Sequence, residues 1–301
     1  MTRSDRQTRR MRADRAILFK LATDERLERL VKRVPGGEEA AYRAASRYVA
    51  GRTRAEALDR TTRLLAQGHG VSVDLFGELS TSTTDARRVA DDYLELAKLL
   101  PEPPADVWLS VDLSHFALDV DPAGAADLLA EIAAALPPGR RIQVGAEDAA
   151  RTDRVLACVQ DVAARGLADR LGATLQANLV RSPSDADTLI AAGVHLRLVK
   201  GAYVEPRGAH PYGEPTDIAY LRLAAKLAGQ STPWSLATHD ARLREAVLLA
   251  TDQVSVEQLL GVRPEALDDL RTRQVPTRVY VPYGPDWFRY WLRRVAESRG
   301  A

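Results

Sequence analysis

The 301-residue chain has one cysteine, Cys158. That excludes an internal disulfide and fits a reducing compartment. The thiol sits in RVLACVQDVAA, an amphipathic stretch that reads as a helix with a buried structural cysteine, not a nucleophile. Net charge is nearly absent too. Lys and Arg number 42 against 41 Asp and Glu, leaving a formal +1, too little for a nucleic-acid binder driven by bulk electrostatics. No apolar run reaches the roughly 18 residues of a membrane span. The arginine-rich first twenty residues lack the apolar core of about 7–15 residues that a signal peptide needs, so none is expected. No Pro-, Gly- or Ser-rich linker, low-complexity tract or close internal repeat divides the chain. The five histidines show no metal-ligand spacing, so no metal is expected. Thr238, His239 and Asp240 in THDARLREAV read instead as helix-capping or ligand-bonding residues.

What is present is a composition 46% hydrophobic and 28% charged, enough for a substantial core in one large domain or two. Short apolar runs recur along it: VSVDLFGE (71–78), WLSVDLSHF (108–116), RIQVGAE (141–147) and LGATLQANL (171–179). VHLRLVKGA (194–202), WSLATHD (234–240), VSVEQLL (254–260) and TRVYVPYG (277–284) follow. Most are rich in Val, Leu and Ile, as buried parallel strands are. Helical patterns such as DARRVADDYLELAKLL and PAGAADLLAEIAAAL fill the gaps. Strand alternating with helix implies right-handed crossovers and a parallel sheet. Eight units predict a closed (β/α)8 TIM-like barrel over residues 67–301, preceded by an N-terminal helical extension over 1–66. An open doubly wound sheet is the alternative, but no G-x-G-x-x-G follows the first strand.

In such a barrel the chemistry lies at the C-terminal strand ends. Those ends carry Glu78, Asp112, His115, Glu147, Gln176, Asn178, Arg197, Lys200, Thr238, His239, Glu257, Gln258 and Tyr280. A polar ligand is implied. In LRLVKGAY, Gly201 lets backbone approach a ligand closely, beside Arg197 and Lys200. Those two cations either bind a phosphate or ring carbonyl or lie at a wet strand-to-loop junction. Lys200 as a Schiff-base lysine is a third reading, one that needs a depressed amine pKa.

The last helical stretch, FRYWLRRVAE, is preceded by Pro285 and Asp286, good residues for a first turn. Phe288, Trp291, Leu292 and Val295 form one apolar stripe, and Tyr290, Arg293, Arg294 and Glu297 form another. The polar stripe either faces water, with Arg293 and Glu297 as an i, i+4 pair, or clamps a carboxylate.

Taken in order, RYVAGRT, VSVDLFGE, LQANL, LRLVKGAYVEP, LATHD, VSVEQLLG, RVYVPYG and YWLRRVAE resemble the proline dehydrogenase family in its monofunctional bacterial form. The resemblance covers nearly the whole chain from about residue 40. It implies a distorted barrel holding FAD noncovalently, with the last helix across its mouth. It implies oxidation of L-proline to Δ1-pyrroline-5-carboxylate by hydride transfer to FAD, with electrons passed to quinone. The cell location implied is cytoplasmic, in peripheral contact with the inner face of the membrane. Arg293 and Arg294 would hold the substrate carboxylate, Glu297 would orient an arginine, and Tyr280 and Tyr290 would wall the pocket. Tyr203 and Leu260 match positions that pack around the substrate, and Arg197 matches the strand-five arginine beside the flavin. Ala146, Gln176, Val199, Lys200, Gly201, Ala202, Thr238, His239 and Gln258 match or neighbour FAD-contacting positions.

Two positions depart from the family pattern. Its second strand reads roughly SVKLS, with a lysine that neutralises the substrate carboxylate, where this chain has Asp112 in SVDLS. Its third strand carries an acid before AE, where this chain has Gly145. Like charges about 4 Å apart at an effective dielectric near 20 repel by roughly 4 kcal/mol. Asp112 is therefore expected to be protonated, to stand in for the missing acid, or to favour a substrate with an extra cation. The alternative function is a flavin-binding degenerate homologue. Val204 also replaces the family's usual aromatic residue.

Overall fold

Each of the eight apolar runs becomes a parallel strand: β1 (Gly70–Leu75), β2 (Val107–Val111), β3 (Ile142–Val144), β4 (Leu171–Gln176), β5 (His195–Val199), β6 (Trp234–Ala237), β7 (Ser255–Leu259) and β8 (Thr277–Tyr283). They close in sequence order, with β1 pairing β8 from Gly70↔Arg278 to Leu75↔Tyr283. The computed structural model describes residues 25–102, 105–203, 205–251 and 254–298, with only the backbone of 25–27, 32 and 296–298. The first 24 residues of the expected extension, Val204 and the Glu297 side chain lie outside what is described.

Every strand stops short of the run that announced it. The runs continue into the loops above the barrel because those loops tuck apolar side chains such as Phe116 and Leu179 inward, where both are buried. Glu78, Glu147, Asn178 and His239 therefore stand on loops just past strand ends and His115 in a short 3-10 helix after β2, whereas Tyr280 sits within β8.

Connecting helices α4 (Thr83–Leu99), α5 (Pro122–Ala135), α6 (Thr152–Val162), α7 (Ser182–Ala192), α8 (Glu214–Ala228), α9 (Ala241–Leu248) and α10 (Pro264–Thr272) ring the barrel. Cys158 is buried on α6 and its thiol is pushed up to about 11 by burial, which leaves it inert. Asp240 caps α9 by accepting from the amides of Arg242 and Leu243. The barrel floor is plugged by Trp108, stacked between Arg278 at 3.3 Å and Arg141 at 4.5 Å. The other end is the open one.

Before the barrel come α1 (Glu25–Arg33), α2 (Gly37–Ala45) and α3 (Arg54–Ala66). Thr53 and Glu56 form a capping box that starts α3, whose Ala57 and Leu64 enter the barrel core. The final helix, α11 (Trp287–Ser298), begins two residues later than Pro285 suggests; Pro285 and Asp286 form the turn before it. Among the described residues no helix is long and apolar enough to cross a membrane.

Candidate active site

Helix α11 lies across the mouth of the barrel, with the described residues of both stripes at least partly covered. Trp287 and Phe288 pack with Ala45 and Val49 of the N-terminal segment, and Tyr290 packs on Phe76 with ring centroids 5.0 Å apart. Tyr280 stands 6.3 Å from Tyr290. Tyr290 is 7% exposed and Arg293 and Arg294 are half-buried, so these three residues of the polar stripe do not face bulk water. The solvent side is marked by Arg289, which pairs with Glu28 at 3.8 Å. Periodicity could not reveal this, because an amphipathic helix looks the same whether its polar face meets water or a polar pocket. Arg293 reaches Glu78 at 3.4 Å while its buried Nε has no partner; Arg294 stacks on Tyr290 at 4.8 Å.

Beneath α11 the β1–β3 side of the mouth is acidic. Asp74 is buried inside β1 and accepts from the hydroxyls of Tyr93 (2.8 Å) and Tyr280. Burial outweighs these bonds and raises its carboxyl to about 6. Glu147 accepts from the Ser114 amide at 2.7 Å, and burial pushes its carboxyl up. Asp112, half-buried just past β2, is pushed well up by burial and then by Asp74, Glu147 and Glu78.

The β4–β7 side carries several buried polar atoms with no partner, as do His115 and Arg293 elsewhere at the mouth and Arg141, Arg278 and His195 at the floor. Both amide atoms of Gln258, Oε1 of Gln176, Nη2 of Arg197 and Nδ1 of His239 are of this kind. An unsatisfied buried polar group costs about 1–3 kcal/mol, so those at the mouth are compatible with a polar guest there. The remaining valences are fixed by the protein. Arg197 donates through Nε to Glu257 at 2.8 Å, and Ser235 braces the same carboxylate at 2.5 Å. Gln176 Nε2 donates to the Glu147 carbonyl at 2.7 Å. The Leu259 amide donates to His239 Nε2, which leaves Nδ1 carrying the proton as a donor. Burial, then Arg294, Arg263 and Arg244, lowers His239 to about 4, so it is neutral near pH 7.

The remaining expected residues rim this space. Tyr203 and Leu260 lie at the mouth, Leu260 buried and its amide donating to the Tyr280 carbonyl at 3.1 Å. The Tyr203 phenol is raised by burial and by Asp112. Ala146 and Val199 are half-buried, Thr238 is buried and accepts from the Asp240 amide, and Ala202 is exposed. Gly201 has φ +102°, and a Cβ there would lie 1.9 Å from Asn178 Oδ1, so only glycine fits. Lys200 turns toward α8, pairing with Asp217 at 2.5 Å and Asp240 at 3.4 Å. Burial works to lower its pKa, but Asp217 and Asp240 outweigh burial and raise it. That is opposite to what a Schiff-base lysine requires. Among the described residues no cluster of His, Cys, Asp and Glu could hold a metal.

Sequence reasoning missed Asp74 and Tyr93, the centre of the β1 hydrogen-bond network. A lone acid inside the otherwise apolar VSVDL was the available signal.

Residues 57–301 match the family model for proline dehydrogenase. The chain belongs to the proline dehydrogenase family. It is 31% identical over 268 residues to proline dehydrogenase 1 of Bacillus subtilis subsp. natto, covering 84% of this chain and 86% of that protein. With proline dehydrogenase of Deinococcus radiodurans the figure is 29% over 269 residues, 85% and 87% of the two chains. Among solved structures, proline utilization A from Bdellovibrio bacteriovorus superposes with a TM-score of 0.80 at 18% identity. That match covers 97% of this chain and 37% of the other, which shares the fold with a much longer protein. The expected barrel and the expected oxidoreductase family both hold.

Proposed function

We propose that this proline dehydrogenase family member oxidises L-proline to Δ1-pyrroline-5-carboxylate, using FAD and passing the electrons to a membrane quinone. The observation that carries it is Gln258, 2% exposed, with neither amide atom partnered, together with the unpartnered Nη2 of Arg197 and Oε1 of Gln176 on the same β4–β7 side. Donors and acceptors together at this mouth suit the edge of an isoalloxazine ring. When bound, FAD supplies the two-electron acceptor.

The chain's own residues position the partners. Gln258, Gln176, His239 and Arg197 would hold the ring, with Arg197 presenting positive charge to it. Ala146, Val199, Thr238, Lys200, Gly201 and Ala202 would line the rest of the cofactor. Arg293 and Arg294 would grip the substrate carboxylate, which answers the buried Nε of Arg293, with Glu297 orienting an arginine. Tyr280, Tyr290, Tyr203 and Leu260 would exclude water and fix the substrate ring. Residues 1–66 would serve as the extension that clamps α11 over the 67–301 barrel. The quinone acceptor implies a cytoplasmic protein in peripheral contact with the membrane.

The test is product formation. Holoprotein mixed with L-proline and a soluble quinone analogue should generate the cyclic imine, and Gln258→Leu should weaken FAD binding. Absence of imine with protein fully loaded with FAD would count against a dehydrogenase.

A further inference from the structure

The β2–β3 register pairs Val111 with Val144, so Asp112 and Gly145 are the next residues on neighbouring strands. A Cβ at position 145 would lie 1.8 Å from Oδ1 of Asp112. The carboxylate thus occupies the space that a side chain from the end of β3 would fill, and glycine is what leaves it room.

The other carboxylates at the mouth are each answered by a protein donor. Asp74 has two tyrosine hydroxyls, Glu147 the Ser114 amide, Glu257 the Arg197 and Ser235 donors, and Glu78 the Arg293 guanidinium. Among the described residues none donates to the Asp112 carboxylate. The groups facing it are Asp74 from β1, Glu78 from the loop after β1, Glu147 from the loop after β3, Tyr203 from the loop after β5, Tyr280 from β8 and Arg293 from α11. Three are carboxylates. The one cation among them, Arg293, donates to Glu78, which leaves the Asp112 carboxylate open to a further N–H donor.

We propose that Asp112 recognises the ring nitrogen of the substrate, accepting its N–H and taking its proton, and that Gly145 makes the room. The proposal rests on the dehydrogenase function above. The step is a proton transfer: the cyclic secondary ammonium gives H⁺ to the carboxylate, yielding a neutral amine and a carboxylic acid. The N–H bond breaks, an O–H bond forms, and no oxidant takes part. The freed lone pair then assists hydride loss from the neighbouring carbon. Burial, and after it the neighbouring acids, raise the Asp112 carboxyl and make it a stronger base, nearer the ammonium in proton affinity. The substrate's two charges are divided, carboxylate to the arginines of α11 and nitrogen to Asp112.

The test separates binding from turnover by titrating oxidised holoprotein calorimetrically with two strained acids that resist oxidation to an imine. Azetidine-2-carboxylate offers a ring N–H, and oxetane-2-carboxylate a ring oxygen. Wild type should prefer the N–H acid by roughly tenfold or more, as a charge-assisted hydrogen bond warrants. Asp112→Asn, which keeps the shape beside Gly145, should erase that preference while leaving oxetane-2-carboxylate affinity within about threefold. The wild-type preference should also fall as pH drops and Asp112 takes up a proton, a dependence the Asn variant should lack. A wild type without preference, or an Asn variant that keeps it, overturns the role of Asp112. Flavin that stays oxidised with L-proline while the preference behaves as expected would refute the dehydrogenase reading alone.

Discussion

The guanidinium of Arg52 lies 3.9 Å from the ring centroid of Tyr42, and Trp287 of α11 completes the stack at 5.8 Å. Arg52 also donates to Glu39 of α2 at 2.9 Å. One cation therefore joins the N-terminal helices to the helix that roofs the barrel.

Removing it should loosen the roof before the barrel. Arg52→Ala should destabilise the protein by about 1 kcal/mol, the usual worth of such a contact. Hydrogen exchange should rise in α11 and α2 while the strand core keeps its protection. Uniform loosening of both, or none, would contradict a local clamp.

The packing of Gly145 against Asp112 gives a second expectation. Gly145→Ala should destabilise by about 1–3 kcal/mol through overpacking. In the Asp112→Ala background the same change should be far milder, because the colliding oxygen is gone. Denaturant titration of the two singles and the double reads the coupling. Additive effects would show that the residues do not touch.

Asp74 makes stability depend on pH with a definite sign. Its carboxyl ionises at about 6 in the folded protein against 3.8 ordinarily. Between those values the folded state holds a proton that the unfolded chain has released, so stability falls as pH rises from about 4 to 6. The loss amounts to roughly 3 kcal/mol and is complete above that range. Asp74→Asn should therefore gain relative to wild type across this window. A difference between the two that is flat with pH would mean that Asp74 ionises normally.

Lys200 is held by two aspartates that raise its pKa, which leaves little free amine. Borohydride treatment with carbonyl compounds should leave the protein mass unchanged. A trapped adduct lost in Lys200→Met would revive Schiff-base chemistry.

The barrel was legible because buried parallel strands are runs of Val, Leu and Ile, and each such run became a strand. Strand ends were not, since loop residues such as Phe116 and Leu179 are buried too. The meaning of the Tyr290–Arg293–Arg294 stripe depends on Ala45 and Val49, at the opposite end of the chain, covering its other face. No local pattern carries that. Asp112 and Gly145 were visible as departures, but their contact is a product of strand register. Asp74 went unnoticed because its hydrogen-bond donors, Tyr93 and Tyr280, come from α4 and β8.

The most direct measurement is anaerobic titration of the purified holoprotein with L-proline while following flavin absorbance. The function proposed here predicts that the oxidised flavin band bleaches with saturation and returns on adding a quinone analogue. A bound flavin that stays oxidised at saturating L-proline would contradict it.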